Sequence, residues 1–287
     1  MTYPQAHSGP NKKKTNIFNL NHIFKNDLIR RLGSIVVLIL LWNIISAIIQ
    51  DNDILPSPIN VALSIHYLAT QVSDSEFTLK LFNLSFVVPE LFFHVSITLY
   101  RVFASFILAM VLGTAIGIAM GRKKLLDDYF DGWLILALNI PALITIILCF
   151  LWFGLNEVAA IVAVAINKIP TVTVILREGT KAIDEKLVEV GKVYKLSKTQ
   201  IIQQIMLPQL YPYIVSAARS GLALIWKIVL VVELLGRSNG VGFKINEFFS
   251  MFDITSILAY TFVFVLFIMF IEWFVIKPIE KKLTSWR

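Results

Sequence analysis

Ionisable residues inside apolar runs are where this sequence could do chemistry. Arg101 falls in the run Leu91–Met120, Lys168 in Val158–Leu176, and Arg219, Lys227 and Glu233 in Tyr213–Leu235. A charge at membrane depth costs several kcal/mol unless it pairs or faces water. Two uses remain open. Lys168 and Lys227, with Glu233, could line a path whose positive field suits an oxyanion. Alternatively the charges pair internally, for instance Arg101 or Lys227 with Glu233, and hold a bundle together. Internal pairing takes precedence, because charges in membranes pair where they can. Lys227 and Glu233 do not share a helix face, so each needs a partner from another segment. Arg219, near one end of its run, can snorkel.

Other constellations point away from catalysis. The four histidines, His7, His22, His66 and His94, lack metal-ligand spacing. Asp127, Asp128 and Asp131 lie beside Arg122, Lys123 and Lys124, and read as a solvated helix end rather than a metal site. Cys149 is the only cysteine, so no intrachain disulfide forms. No G-x-x-x-x-G-K-[ST] occurs, so the chain is not expected to bind ATP. An enzyme embedded in the membrane would need more convergent polar groups than these runs carry.

The elements that position such residues follow from composition. The chain has 287 residues, 57% hydrophobic and only 16% charged. Soluble domains average about 45–50% apolar and about 25% charged. A bilayer is therefore the expected solvent. A spanning helix needs about 20 mostly apolar residues. Six candidates are Gly33–Ile49, Leu91–Met120, Trp133–Phe153, Val158–Leu176, Tyr213–Leu235 and Ile257–Ile276. Gly113, Ala115, Gly117, Ala119 and Gly121 give the second a small-residue face for packing against a neighbour or a second subunit.

Basic residues set the orientation. Most of the 26 Lys and Arg residues lie in the N-terminal arm, in the loop after span two, in the loop after span four, and in the tail. Lys80, Arg237 and Lys244 alone fall in the opposite loops. Positive charge marks the cytoplasmic side, so both termini are expected there in a multi-pass protein. This also accounts for the net charge of +7 without nucleic acid. Residues 1–32 form a basic cytoplasmic arm without signal-peptide character, and residues 33–287 form one transmembrane domain. The loop 50–90 lies outside. In it Ser57 and Pro58 can start a short interfacial helix carrying Val61, Leu63, Ile65 and Leu68, or the segment is a simple loop.

The longest cytoplasmic loop, 177–211, has its own pattern. Asp184 can cap a helix whose apolar positions are Leu187, Val190, Val193 and Tyr194. "SKTQ" then reads as a capping box, with Ser197 as N-cap and Gln200 reaching back. Ile201, Ile202, Ile205 and Met206 face one way, and Pro208 and Pro212 are expected to end this second helix. Two short amphipathic helices need somewhere to bury their apolar faces. The headgroup region, a soluble partner and the chain's own bundle all remain open.

Here the residues resemble the permease subunits of bacterial ABC importers. Their cytoplasmic loop carries Glu-Ala-Ala, three residues, Gly, nine residues, Ile, one residue, Leu-Pro. In this chain Glu189, Val190 and Gly191 occupy the triplet and Lys195 stands at the glycine. Ile205, Met206, Leu207 and Pro208 complete the register. Lys192-Val193 and Leu196-Ser197 match a "KVxxLS" stretch of the nitrate and bicarbonate type. "ILPSP" at Ile54–Pro58, the Ser96–Arg122 stretch, "LWFGLNE" at Leu151–Glu157 and the outline of Leu207–Ile245 are similar to the nitrate/sulfonate/taurine/bicarbonate group.

The resemblance implies an all-α integral membrane protein with about six spans and a cytoplasmic coupling-helix loop, the type I importer permease fold. Glu189, Val190, Gly191, Lys192, Lys195, Leu196 and Ser197 would then contact the ATPase. The partners implied are ATP-binding-cassette ATPase subunits that bind ATP and Mg, and a second permease copy or paralogue. A periplasmic or lipid-anchored solute-binding protein would deliver the cargo. The location is the bacterial inner membrane, and the cargo a small solute, expected to be an oxyanion such as nitrate, bicarbonate, a sulfonate or taurine. A secondary transporter working alone and a membrane-embedded enzyme are the alternatives.

Overall fold

A computed structural model describes residues 27–70, 78–81, 84–278 and 281. The rest of the basic arm, part of the 50–90 loop and the end of the tail lie outside the described residues. Helix α1 spans Asp27–Ile49 and α2 Pro58–Thr70. A two-stranded antiparallel hairpin, β1 Thr78–Leu81 and β2 Leu84–Val87, pairs Thr78 with Val87. It is the one departure from an all-helical chain among the described residues. Then come α3 Glu90–Arg122, α4 Lys124–Asn139, α5 Ala142–Phe153, α6 Glu157–Lys181 and α7 Glu185–Val193. Helix α8 Lys198–Ile201 passes through a π-turn at Ile202–Met206 into α9 Leu207–Gly236. Helix α10 covers Val241–Ser250, and α11 Ile254–Ile271 continues through a second π-turn to Ile276.

Four of the described helices are long and apolar enough to cross a membrane: α3, α6, the α8–α9 rod of 39 residues, and α11 with its π-turn. The expected third span is not one rod. Its two halves, α4 and α5, meet at 95°. The cause is local: Pro141 cannot donate a backbone N–H, and the residue before a proline is pushed out of the helical region. Ile140 accordingly sits at φ −70°, ψ 123°. The expected first span lies in α1, whose apolar stretch Gly33–Ile49 is shorter than the others. Helix α1 stands largely exposed, tied by Trp42 Nε1 donating to the Pro56 carbonyl at 3.0 Å and by a Trp42–Phe262 stack.

The bundle centres on α3 against α6. An added Cβ at Gly113 would come within 2.6 Å of Val172, at Gly117 within 2.8 Å of Leu176, and at Gly121 within 2.6 Å of Thr180. The small-residue face thus packs within the subunit, where only missing side chains let two backbones approach. Val102, Ile146, Ala163, Ile225 and Val229 fill the core between α3, α5, α6 and α9. Ser57 does cap α2, its Oγ accepting the Asn60 N–H at 3.2 Å. Val61 of α2 is buried and Ile65 and Leu68 pack on the second core with Leu91 and Tyr260, while Leu63 stays exposed.

Candidate functional site

The elbow between α7 and α8 forms as its local sequence dictates. Asp184 Oδ1 accepts the Lys186 N–H at 2.8 Å and caps α7. Ser197 and Gln200 complete a reciprocal capping box, with bonds of 3.3 and 2.8 Å. Between them Lys195 takes the left-handed conformation at φ 54°. The Leu196 N–H reaches back to the Gly191 carbonyl at 3.0 Å, and the Lys195 N–H to Lys192 at 2.9 Å. This pair of bonds defines a Schellman end. The lysine therefore enters the geometry that a glycine would, at a cost of about 1–2 kcal/mol. Gly191 is buried, and a Cβ there would approach Ile205 Cδ1 to 2.6 Å. The residue replacing alanine in the family triplet is thus where the Ile205 side chain of the second arm seats on the first.

The second arm corrects one expectation. Pro208 and Pro212 do not end it, and the helix runs on from Lys198 to Gly236. A proline inside a helix clashes with the carbonyl four residues back. The π-turn widens the coil by one residue just ahead of Pro208, and the Leu207 N–H bonds to the Ile202 carbonyl. The elbow is thus continuous with a membrane-crossing rod. Its apolar groups are open: Leu187 is 49% exposed, Val190 50%, Val193 79% and Tyr194 77%. Glu189 and Lys192 are exposed beside them and line a notch of about 570 Å³ with Arg122, Thr180, Lys181 and Met206. Of the open destinations for that apolar face, the chain's own bundle is excluded by this exposure. Arg177 at the same end engages Asp127 at 3.2 Å and Asp131 at 2.5 Å, and Lys181 meets Asp127 at 2.7 Å. The acidic cluster is an ion-paired helix junction.

The opposite end joins two of the expected bundle charges, Arg101 and Glu233, to neighbouring polar groups in one network. Arg101 Nη1 donates to Glu233 Oε1 at 2.6 Å and to the Asn239 carbonyl at 2.8 Å. Its Nε and Nη2 grip both oxygens of Glu157 at 2.9 and 2.7 Å, and Nη2 also meets Asn239 Oδ1. Arg237 Nη2 donates to Glu157 at 2.5 Å. The Thr98 hydroxyl lies 2.9 Å from Glu233 and accepts the Val241 N–H, while the Gly242 N–H donates to Glu233 Oε2 at 2.9 Å. Gly240, at φ 107°, and Gly242 have no room for a Cβ against Glu233 and the Leu230 carbonyl. Glu233 is fully buried and forms the internal pair with Arg101. Next to this network Lys244 binds Glu90 at 2.7 Å and Glu247 at 2.8 Å. Burial alone would lower the Lys244 ammonium, but its hydrogen bonds to Glu247 and Glu90 outweigh that and raise it above its ordinary range.

The remaining two expected path residues separate. Lys168 is buried, its Nζ 3.4 Å from the Ser220 carbonyl. Lys227 is exposed and lies over the Trp226 ring, 5.5 Å from its centroid. It lines a cleft with Arg219 and with Glu272, a carboxylate within the Ile257–Ile276 run.

Comparison with known proteins decides the lineage. Residues 109–276 match the family described as binding-protein-dependent transport system inner membrane component. The chain belongs to that family. It is 31% identical to a putative aliphatic sulfonates transport permease of Bacillus subtilis, over 88% of this chain and 85% of the relative. It is 28% identical to a nitrate import permease of Synechocystis, over 87% and 86%, and 23% identical to a taurine transport permease of Escherichia coli, over 70% and 73%. A chain of the inward-facing MetNI methionine ABC transporter superposes with a TM-score of 0.60 at 18% identity, covering 68% of this chain and 96% of that one, which shows the shared fold. The protein is thus a permease component of an ABC importer, and the resemblance in its elbow, its Trp-Phe-Gly turn and its Gly-x-Gly loop reflects that membership.

Proposed function

We propose that this permease is driven by a separate ATPase that grips the α7–α8 elbow. The observation that carries the reading is the open apolar face of Leu187, Val190, Val193 and Tyr194 on a helix fixed by the Asp184 cap and a Schellman end. In this reading the face seats in a groove of another protein rather than in the headgroup region. Because α8 runs without interruption into α9, a push on the elbow moves a spanning rod as a rigid body. ATP and Mg sit on the ATPase in this reading. Glu189, Val190, Gly191, Lys192, Lys195, Leu196 and Ser197 form the contact, and the notch under α7 receives partner side chains. In this reading the elbow end, with its excess of Lys and Arg, and both termini face the cytoplasm. A solute-binding protein delivers cargo at the Arg101–Glu233 end, and a second permease copy or paralogue completes the path.

The cargo proposed is a small oxyanion. Its support is the positive charge of Lys227 on an open face and the transport names of the relatives, which cover aliphatic sulfonates, nitrate and taurine. The test is uptake of labelled sulfonate, taurine, nitrate and bicarbonate by cells lacking and regaining the gene. Glu189→Arg and Lys195→Pro should insert normally yet lose uptake and solute-stimulated hydrolysis. Normal stimulated hydrolysis in both variants would overturn the coupling assignment.

A further inference from the structure

We propose that the cleft between α9 and α11 is an anion site inside the permease, shaped for an organic monoanion whose charge sits at Lys227 and whose apolar body lies on Trp226. The inference rests on the reading of the chain as an oxyanion permease and deepens it by naming the ligand class and the residues.

The cleft has a volume of about 320 Å³. Helix α9 lines it with Arg219, Ala223, Trp226 and Lys227, whose spacing puts them on one stripe. The facing wall carries Met269 and Glu272, where α11 passes into its π-turn. The two cations of this stripe are not equivalent. Arg219 Nη2 is 3.9 Å from Glu272 Oε1, so its charge is partly offset. No carboxylate among the described residues pairs with Lys227, and its ammonium meets the face of Trp226.

Depth makes that ammonium informative. Lys227 is nine residues before the α9 end at Gly236, or about 13 Å along the axis. A lysine stem does not span that distance, and an unpaired charge facing lipid costs several kcal/mol. Its face must therefore meet water, an anion or a carboxylate of a second copy. A second cavity, of about 290 Å³, opens on the other side between α5 and α9, and Lys227 is the one charged group in its lining. Lys227 thus lines both cavities: the first also carries Arg219 and Glu272, while the second is otherwise apolar and includes the α5 residues that follow the Pro141 bend.

Charge and size then select the ligand. A divalent anion would leave one charge unmatched, because Arg219 already faces Glu272. A bare ion of four heavy atoms would fill a small part of the cleft, and its hydration could not be replaced by apolar walls. A sulfonate or carboxylate carrying an aromatic or branched alkyl group satisfies both constraints. Its head meets Lys227, and its body covers Trp226, Ala223 and Met269.

The test uses the permease assembled with its ATPase in zwitterionic nanodiscs, without a binding protein. Thermal unfolding is followed with benzenesulfonate, with nitrate and with uncharged methyl phenyl sulfone at equal concentrations. Benzenesulfonate should raise the midpoint while the other two do not. Lys227→Met should weaken the apparent affinity about tenfold or more, and Lys227→Arg should retain it. The proposal is overturned by no shift with benzenesulfonate, an equal shift with nitrate or the sulfone, or full affinity in Lys227→Met. Loss of the two-permease assembly in Lys227→Met also overturns it, since Lys227 would then pair with a carboxylate of the second copy. Failure of the underlying permease reading looks different. Wild-type vesicles supplied with ATP and binding protein would then accumulate no solute, even though benzenesulfonate still shifts the midpoint.

Discussion

At one end of the bundle Arg101, Glu157, Glu233, Asn239 and Thr98 bond to one another, Arg237 joins them through Nη2 while its buried Nε has no partner among the described residues, and Glu233 is sealed from solvent. At the other end Leu187, Val190, Val193 and Tyr194 lie open on a helix whose backbone is as well capped as any in the chain. The first region spends its polar groups on itself and the second withholds its apolar groups from the rest of the chain. A closed network stabilises; a rigid element with an unfilled face transmits. The difference separates the residues that hold the protein from those that another protein can move.

That contrast can be broken experimentally. Arg101→Leu leaves Glu233 buried and unpaired, and should destabilise the purified chain by about 3–5 kcal/mol, read as a loss of thermal midpoint. Combining it with Glu233→Leu should recover much of the loss, because two matched apolar groups replace a buried pair. If the single change costs nothing, the network is not what holds this end. Next in size, Gly242→Ala places a methyl against the Leu230 carbonyl and should cost about 1–3 kcal/mol, measured in the same way. Ser197→Ala removes one half of the capping box at the elbow and should cost about 1 kcal/mol, with a larger effect on ATPase co-purification than on unfolding. Lys195→Gly relieves the left-handed conformation and should stabilise the elbow by about 1 kcal/mol. Smallest of all, Tyr194→Asp should change stability by less than about 0.5 kcal/mol while weakening ATPase retention on a column. A large stability loss there would mean that the face already packs within the chain.

Much of the elbow was legible because its determinants are local. Asp184, Ser197 and Gln200 act within three residues of themselves, and the Lys195 turn follows from its register. Pro208 misled because prolines usually end helices, and the π-turn that accommodates it leaves no mark in composition. Its neighbours explain how it persists: Met206 is buried and Ile205 seats on Gly191. The break in the third span was signalled by Pro141 but hidden by averaging hydropathy across it. In the charge network, cost alone required a partner for Glu233 and left Arg101 and Lys227 both open. Glu157, Asn239 and Arg237 were not legible, because each looked like an ordinary loop or helix-end residue. Helix α10 went unforeseen for the same reason, as a Gly-x-Gly loop flanking a long span.

The sequence by itself determined the solvent, the helical class, the asymmetry of positive charge and the caps of the elbow. These depend on composition and on contacts within one turn. The tertiary structure alone decided which charges are spent and which remain available. Arg101 and Glu233 are far apart in the chain and 2.6 Å apart in space, whereas Lys227, in the same apolar run as Glu233, faces a cleft. A one-dimensional pattern states that a buried charge must be matched. Only the packing of α3, α6 and α9 determines what matches it.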